Sequence, residues 1–323
     1  MNEHAPLSIQ RRRFGLWAAA AAMGLAATGC ARDVPPSPAH GTGPATPPPD
    51  ADPWRQRLWA LERNSGGRLG VAALDLHTGA RLAWRADERF PMCSTFKLPL
   101  AAMVLQRADR GQERMDRLLL IDKAALVPHS PITERHVGEV GMTMTQLARA
   151  AVTVSDNTAA NVLLRELGGP AAFTAFERSL GDATTRLDRY EPDLNDTVPP
   201  ADERDTTTPA GMLAGLQQAV LGDALSPASR ELLVRWMRET KTGEHRLRHA
   251  VPPDWQPGDK TGTGAPGTAN DVAVFWPPGR QPVLVTAYLT QATLPAEGCE
   301  AVLADVGRLV VSLVRDAKQP PPP

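Results

Sequence analysis

The chain has 323 residues, 42% hydrophobic and 22% charged, with a formal net charge of −1. That is the composition of an ordinary globular protein, long enough for one large domain or two small ones. The balanced charge excludes the electrostatic footprint of a nucleic-acid binder, and three cysteines exclude a disulfide framework.

Arg11-Arg12-Arg13-Phe14 precedes an apolar run, residues 16–27, too short to span a bilayer as a helix. The pattern resembles a twin-arginine export signal, with a general secretory signal as the alternative. Ala27-Thr28-Gly29-Cys30 closes the run and resembles a bacterial lipoprotein cleavage site, with Cys30 as the lipidated residue. The alternative is cleavage near Gly29 to a soluble periplasmic form. Residues 34–53 are rich in Pro, Ala, Gly and Thr without apolar periodicity, which makes them an extended tether. Residues 1–30 are therefore expected to be a signal segment, 31–52 a disordered linker and 53–318 a single folded domain.

Asp52-Pro53 pairs an N-cap with a first-turn proline, and Trp54, Leu58 and Leu61 follow at helical spacing until Gly66-Gly67. Residues 69–76 and 81–84 read as strands around the turn at 77–80. Residues 98–105 are apolar almost all round, so a buried helix is expected to start near Ser94. The middle of the chain reads as helical. Thr143 or Thr145 caps a helix running to Val152, and residues 158–167 and 170–180 form two more, each stopped by glycine. Thr208-Pro209 and Ser226-Pro227 open helices to about Leu221 and Thr240. Residues 260–264, 270–276 and 282–290 then read as strands, and 301–315 as a closing amphipathic helix. This order predicts an α/β (α+β) fold: one antiparallel sheet flanked by the terminal helices, plus a central all-helical lobe. Ser94 and Lys260 then meet at the junction of the two lobes, where clefts usually lie.

Ser94-Thr95-Phe96-Lys97 sets a hydroxyl and an amine one helical turn apart on one face. A serine nucleophile needs a base within hydrogen-bond reach, and a lysine beside so apolar a helix is desolvated, which lowers its pKa. Ser155-Asp156-Asn157 falls in the break between two helices, where short polar side chains can point into a cleft. Lys260-Thr261-Gly262-Thr263-Gly264 begins a strand and can line one edge of a site with a lysine, two hydroxyls and backbone amides. Glu191-Pro192-Asp193-Leu194-Asn195 lies in an irregular loop, residues 187–207, where a carboxylate and a carboxamide could hold one water. Each piece alone has a plain reading: a surface Ser and Lys, a capping turn, a strand end, a solvated acidic loop. A second Lys-Thr-Gly, Lys241-Thr242-Gly243, reads as the end of the helix carrying Trp236, with Gly243 as its left-handed cap. No strand pattern follows it, so it is set aside. No Cys/His spacing fits a zinc site.

Together, and in this order, the four pieces resemble the class A serine β-lactamases over roughly residues 54–315. The resemblance implies that Ser94 attacks the β-lactam carbonyl, with the backbone N–H groups of Ser94 and Thr263 as the oxyanion hole. Lys97, or Glu191 through a water, takes the serine proton. Ser155, held by Lys260, relays a proton to the departing ring nitrogen. Asn157 bonds the substrate's side-chain amide, while Lys260, Thr261 and Thr263 face its carboxylate. Glu191 and Asn195 hold the hydrolytic water. The implied partners are small-molecule β-lactams, with no cofactor, metal or nucleic acid. The implied setting is a periplasmic monomer, membrane-anchored if Cys30 is lipidated.

The chain departs from the family pattern in places. Ala269 stands where many members carry a carboxylate-binding arginine, and Arg246 resembles the alternative arginine of a subgroup that includes broad-spectrum enzymes. His129 stands at a cleft-edge position that is often aromatic. Cys93 matches a position that some carbapenem-hydrolysing members cross-link, but the candidate partner position is Gly264, so that disulfide cannot form and carbapenem hydrolysis loses support. Cys93 then reads as a small buried filler. Two rival readings share the Ser-Lys chemistry, a penicillin-binding transpeptidase or carboxypeptidase and a covalent β-lactam sensor. Neither is expected to carry Glu191 with Asn195.

Overall fold

Asp52 opens the folded part: its carboxylate accepts from the Arg55 amide at 2.8 Å, and α1 (Pro53–Ser65) ends at Gly66, whose φ of 67° needs no Cβ. The computed structural model describes residues 52–196, 199, 201–264 and 267–316. The expected signal segment, Cys30, the linker up to residue 51 and residues 317–318 lie outside the described residues.

The elements follow as β1 (Arg68–Asp75), β2 (Arg81–Trp84), β3 (Phe90–Pro91), a 3₁₀ turn (Cys93–Phe96), α2 (Lys97–Asp109), β4 (Leu118–Ile121) and β5 (Gly138–Thr143). Then come α3 (Met144–Thr153), α4 (Asn157–Glu166), α5 (Gly169–Ser179), β6 (Thr206–Thr207), α6 (Pro209–Val220) and α7 (Pro227–Arg238). The chain closes with β7 (Gln256–Gly264), β8 (Thr268–Trp276), β9 (Val283–Thr290) and α8 (Ala296–Asp316). Early and late strands join in one antiparallel sheet ordered β2-β1-β9-β8-β7, as the sequence predicts. Its two faces bury separate cores. On one, Val71, Ala73, Phe275 and Val285 pack with Leu303, Val306 and Val310 of α8 and Leu58 of α1. On the other, Val272, Val274 and Tyr288 meet the helical lobe through Phe96, Leu100 and Met237.

Three expectations are sharpened or corrected. Thr143, not Thr145, caps α3, in a reciprocal capping box with Gln146. The middle of the chain is not wholly helical, because β4 pairs with β5 and β3 with β6 in two short ribbons. In β4 exposed Leu118 and Leu120 alternate with half-buried Leu119 and buried Ile121, but all four residues are apolar, so the sequence lacks the polar/apolar alternation that marks a half-buried strand. Gly243 is not a left-handed helix cap: α7 ends at Arg238 with Glu239 as its cap, and Gly243 is not among the residues with positive φ. A Cβ there would collide with the Asp259 carboxylate, so close approach, not backbone conformation, requires the glycine.

The pleat of β7 sorts the strand's residues into two sets. Gly262 and Gly264 face the 3₁₀ turn. A Cβ on Gly262 would meet the Met92 carbonyl oxygen at 2.8 Å, and one on Gly264 would meet Cys93 Sγ at 2.7 Å. The two glycines therefore let the Ser94 turn lie flat on the strand. Thr261 and Thr263 face the other way, toward Thr242 and Arg246.

Candidate active site

Ser94 sits inside the 3₁₀ turn, where residues three apart eclipse each other. Lys97, the first residue of α2, therefore stands directly over it, and its Nζ donates to Ser94 Oγ at 2.8 Å. Cys93, immediately before, holds a φ of 46°, a left-handed conformation rare for a residue with a side chain. Ser155 (φ 59°) and His129 (φ 61°) share that feature, so three non-glycine residues around one cleft are strained. Such strain costs on the order of 1–3 kcal/mol each and persists only where the surroundings enforce it.

The enforcement at Ser155 comes from Asp156. One carboxylate oxygen caps α4 by accepting from the Ala159 amide at 2.9 Å, and also takes the Thr133 hydroxyl at 2.8 Å. The other accepts from the Ile132 and Thr133 amides, both at 2.9 Å. The turn between α3 and α4 is thereby pinned to the segment that carries His129. Asn157 completes the clamp, its Nδ2 donating to the Pro128 carbonyl at 2.9 Å.

Lys97 is fully buried and makes four further contacts. Its Nζ donates to the Ser155 carbonyl at 2.8 Å, to Ser155 Oγ at 3.3 Å and to Asn157 Oδ1 at 2.5 Å, and pairs with Glu191 Oε1 at 2.9 Å. Burial pushes the Lys97 pKa below the usual lysine range, with Glu191 working the other way. Lys260 is also fully buried, donating to Ser155 Oγ at 3.0 Å and to the Thr261 carbonyl at 2.7 Å. Burial and then the neighbouring charge of Lys97 push its pKa well down. Ser155 thus lies between two amines, each favouring loss of its proton more than an exposed lysine would.

Glu191 enters from the 187–207 loop. Asn161 of α4 grips its backbone from both sides, donating to the Glu191 carbonyl at 2.8 Å and accepting from the Glu191 amide at 2.9 Å. Asn195 Nδ2 donates to Glu191 Oε2 at 2.7 Å, and Ser94 Oγ donates to Oε1 at 3.2 Å. The carboxylate is therefore aimed at the nucleophile, with its second oxygen occupied by the carboxamide. The Glu191–Pro192 peptide is cis.

Arg246 reaches the cleft from the loop before β7. Its Nη1 donates to the Gly262 and Asn270 carbonyls at 2.8 and 2.9 Å, and Nη2 to Thr263 Oγ1 at 2.7 Å. Nε points back to Glu300 Oε1 at 3.3 Å. Ala269 is buried with the α8-side core. Among the described residues, the loop therefore supplies the guanidinium at this end of β7.

Ser94, His129, Ser155, Asn157, Glu191, Asn195, Arg246, Thr261 and Thr263 all line one cavity of about 260 Å³. Lys97 and Lys260 lie behind it, bonded to its walls. Every site residue singled out in the folded part of the sequence is therefore at, or one hydrogen bond from, a single cleft. Arg246 faces it, with the two lysines behind, and among the described lining residues Glu191 is the one carboxylate, an arrangement that suits an anionic ligand. His129, exposed at the rim, is fixed by its Nε2 at 3.1 Å from the Val154 carbonyl oxygen. Cys93 is buried, unpaired and has its thiol pushed up to about 12 by burial and then by Glu191.

Sequence reasoning missed three residues. Thr242 belongs to the Lys-Thr-Gly that was set aside, yet it lines the cleft and its Oγ1 lies 2.5 Å from Thr261 Oγ1. Asn161 follows Asn157 by four residues on the buried face of α4, and a buried mid-helix carboxamide was the available signal. Glu300 carried none, because its link to Arg246 spans 54 residues.

A model of the β-lactamase enzyme family matches residues 53–314. The chain is 49% identical over 252 residues to the carbapenem-hydrolysing β-lactamase KPC of Klebsiella oxytoca, covering 78% of this chain and 85% of that one. It is 46% identical over 256 residues to β-lactamase CTX-M-8 of Citrobacter amalonaticus, covering 79% and 87%. Among solved structures, an ancestral class A β-lactamase matches with a TM-score of 0.78 at 61% identity, covering 80% of this chain and 98% of that one.

Proposed function

The chain belongs to the class A β-lactamases and hydrolyses the β-lactam amide through a serine acyl-enzyme, and on that premise we propose the following roles for its cleft residues. Ser94 Oγ attacks the lactam carbonyl while its proton passes to the Lys97–Glu191 pair. The backbone N–H groups of Ser94 and Thr263 take the developing oxyanion. As the ring C–N bond breaks, Ser155 hands its proton to the nitrogen and is resupplied by Lys97 or Lys260. Asn157 and His129 hold the substrate's side chain, and Thr261, Thr263, Lys260 and Arg246 its carboxylate. Glu191, oriented by Asn195, then takes a proton from the water that cleaves the ester, regenerating the Ser94 hydroxyl.

One observation supports this reading over a chain that is acylated and trapped. Glu191 Oε1 stands 3.2 Å from Ser94 Oγ and 2.9 Å from Lys97 Nζ, with Asn195 on its other oxygen. A general base must lie within hydrogen-bond reach of the proton that it abstracts, and this carboxylate does. The penicillin-binding and sensor readings offer no use for it. Turnover of a chromogenic cephalosporin tests the assignment: many turnovers per chain are expected, and stoichiometric labelling that stops after one would overturn it.

The KPC relative is named for carbapenem hydrolysis. Here Gly264 stands where Cys93 would need a partner, so we do not extend that activity to this chain. We further propose that residues 1–30 direct export, with residues 31–52 tethering a monomeric catalytic domain, 53–318, to a lipid on Cys30. The arginine cluster, the short apolar run and Cys30 at its end support that arrangement. Mass spectrometry of the mature chain tests it, since a diacylglyceryl adduct on an N-terminal Cys30 is expected and an unmodified N-terminus beyond it is not.

A further inference from the structure

Two threonines on one face of β7 line the cleft, and each is backed from the segment between α7 and β7. Arg246 Nη2 donates to Thr263 Oγ1 at 2.7 Å. A guanidinium cannot accept, so that bond uses a lone pair of Thr263 and leaves its proton free to turn elsewhere. Thr261 has a different backing: Thr242 Oγ1 lies 2.5 Å from its Oγ1, and either hydroxyl can be the donor. Among the described residues neither of these two hydroxyls has a second hydrogen-bond partner. Thr242 is held from both sides of the chain. The Lys241 amide donates to the Thr153 carbonyl at 3.0 Å, and Gly243 lies against the Asp259 carboxylate.

We propose that Thr242 is a positioning residue for the substrate's carboxylate: its hydroxyl donates to Thr261 Oγ1 and turns the Thr261 proton toward the anion. The proposal rests on the reading of Thr261 as a carboxylate anchor. A carboxylate can only accept, so a Thr261 hydroxyl bonded to it must donate. Thr261 can then keep its contact with Thr242 only by accepting from it. Binding an anion therefore selects one of the two directions open to the pair, with both protons running toward the charge.

Hydrogen bonds in such a chain polarise one another, and a bond to an ionised acceptor is the stronger kind. Thr242 thus makes Thr261 a better donor to an anion than it would be alone. Thr261 is only 4% exposed, so a methyl group in place of the Thr242 hydroxyl leaves its oxygen short of a donor. The gain is specific to charge: a neutral ester in the carboxylate's place draws far less on the relay. Thr242 and Arg246 then do the same service for the two threonines of β7, each supplying a proton to one hydroxyl oxygen from behind.

Steady-state kinetics of Thr242→Val and Thr242→Ser, on a penicillin and on its methyl ester, test the relay, with circular dichroism to show that both variants fold. Thr242→Val is expected to raise KM for the penicillin about three- to tenfold with kcat within twofold. Thr242→Ser should stay within about twofold of the parent, because it keeps the hydroxyl. Thr242→Ala should match Thr242→Val, so the test does not hang on the folding of one variant. On the ester, loss of the hydroxyl should move KM less than about twofold. An unchanged penicillin KM, an equal rise on both substrates, or no rescue by serine would overturn the proposal. Thr261→Val separates it from the reading on which it rests. That variant should raise the penicillin KM, and adding Thr242→Val to it should cost less than about twofold more. If Thr261→Val leaves KM unchanged, Thr261 is no anchor and both ideas fall. If it raises KM while Thr242→Val does not, the relay alone falls. If the two rises multiply, Thr242 binds substrate by itself, and the relay falls again.

Discussion

Lys97 Nζ and Glu191 Oε1 lie 2.9 Å apart, both side chains are closed to solvent, and the Ser94 hydroxyl bonds to each. With no solvent to share the charge, removing one member leaves the other uncompensated in the interior. The two groups consequently handle one proton as a unit, and substitutions at either should be strongly non-additive.

Glu191→Ala should still be acylated through Lys97 but should stall as the acyl-enzyme. General-base catalysis contributes about 10²–10⁴-fold, and kcat should fall by that range. Intact-mass spectrometry seconds after mixing with a penicillin should find the acyl adduct near full occupancy. Prompt return to the free mass would show that another group activates the water.

Arg246→Ala should act on binding more than on turnover. Hydrogen bonds to charged groups contribute about 1.5–3 kcal/mol, so kcat/KM should drop about tenfold to a hundredfold, chiefly through KM. Arg246→Lys should recover little, because an ammonium cannot span the Gly262 carbonyl and the Thr263 hydroxyl as the fork does. Steady-state kinetics on penicillin and on an ester lacking its carboxylate would separate the two effects. Equal losses on both substrates would contradict the assignment.

Glu177 of α5 sits outside the cleft with both carboxylate oxygens buried and without a hydrogen-bond partner. Burial, and then the nearby charge of Asp182, push its pKa up to about 8 from an ordinary 4.5. Between those values the folded chain keeps a proton that the unfolded chain has released. Stability therefore falls as pH rises through that window, by about 1.4 kcal/mol per unit at most, and levels off above it. Glu177→Gln carries no titrating proton, so its stability relative to the parent should climb from pH 5 to pH 8. Urea midpoints at several pH values measure this, and parallel curves would remove Glu177 as the cause.

Gly264→Ala should disturb the nucleophile from a distance. Its Cβ would lie 2.7 Å from Cys93 Sγ, and Cys93 is itself the strained residue before Ser94. The expected result is slower acylation, with Cys93→Ala in the same chain restoring much of the rate. Contacting pairs of this kind couple by about 0.5–3 kcal/mol in a double-mutant cycle. Additive effects on the acylation rate would show that the two residues do not press on each other.

Four helix starts were legible because each has local chemistry, Asp52, Thr143, Thr208 and Ser226 all accepting amide bonds as N-caps. By contrast, α8 begins at Ala296, five residues before the expected 301, and α7 ends at Arg238 rather than near Thr240. The strands β7, β8 and β9 were legible from apolar runs between Gly/Pro turns. What stayed hidden depends on partners far away in the chain. The β4–β5 ribbon carries apolar residues at exposed positions, Leu118, Leu120 and Val140, so no polar/apolar alternation marks it in the sequence. Thr242 looked like a chance repeat because its role exists only once β7 lies beside it, 19 residues on. Gly243 looked like a helix stop for the same reason: the Asp259 carboxylate that forbids its Cβ is invisible until the strand folds back.

β7 is also the last strand of an open sheet, and an unpaired edge invites another chain to add itself. Here the carbonyls on either side of Lys260 are already occupied: the Thr240 hydroxyl takes that of Asp259 at 2.7 Å, and Lys260 itself takes that of Thr261 at 2.7 Å. A foreign strand would have to displace an ammonium from a dry pocket to dock. The lysine behind the cleft therefore guards the molecule against its own copies. Lys260→Ala should cost solubility at high concentration as well as activity, and light scattering would register the first loss with no substrate present.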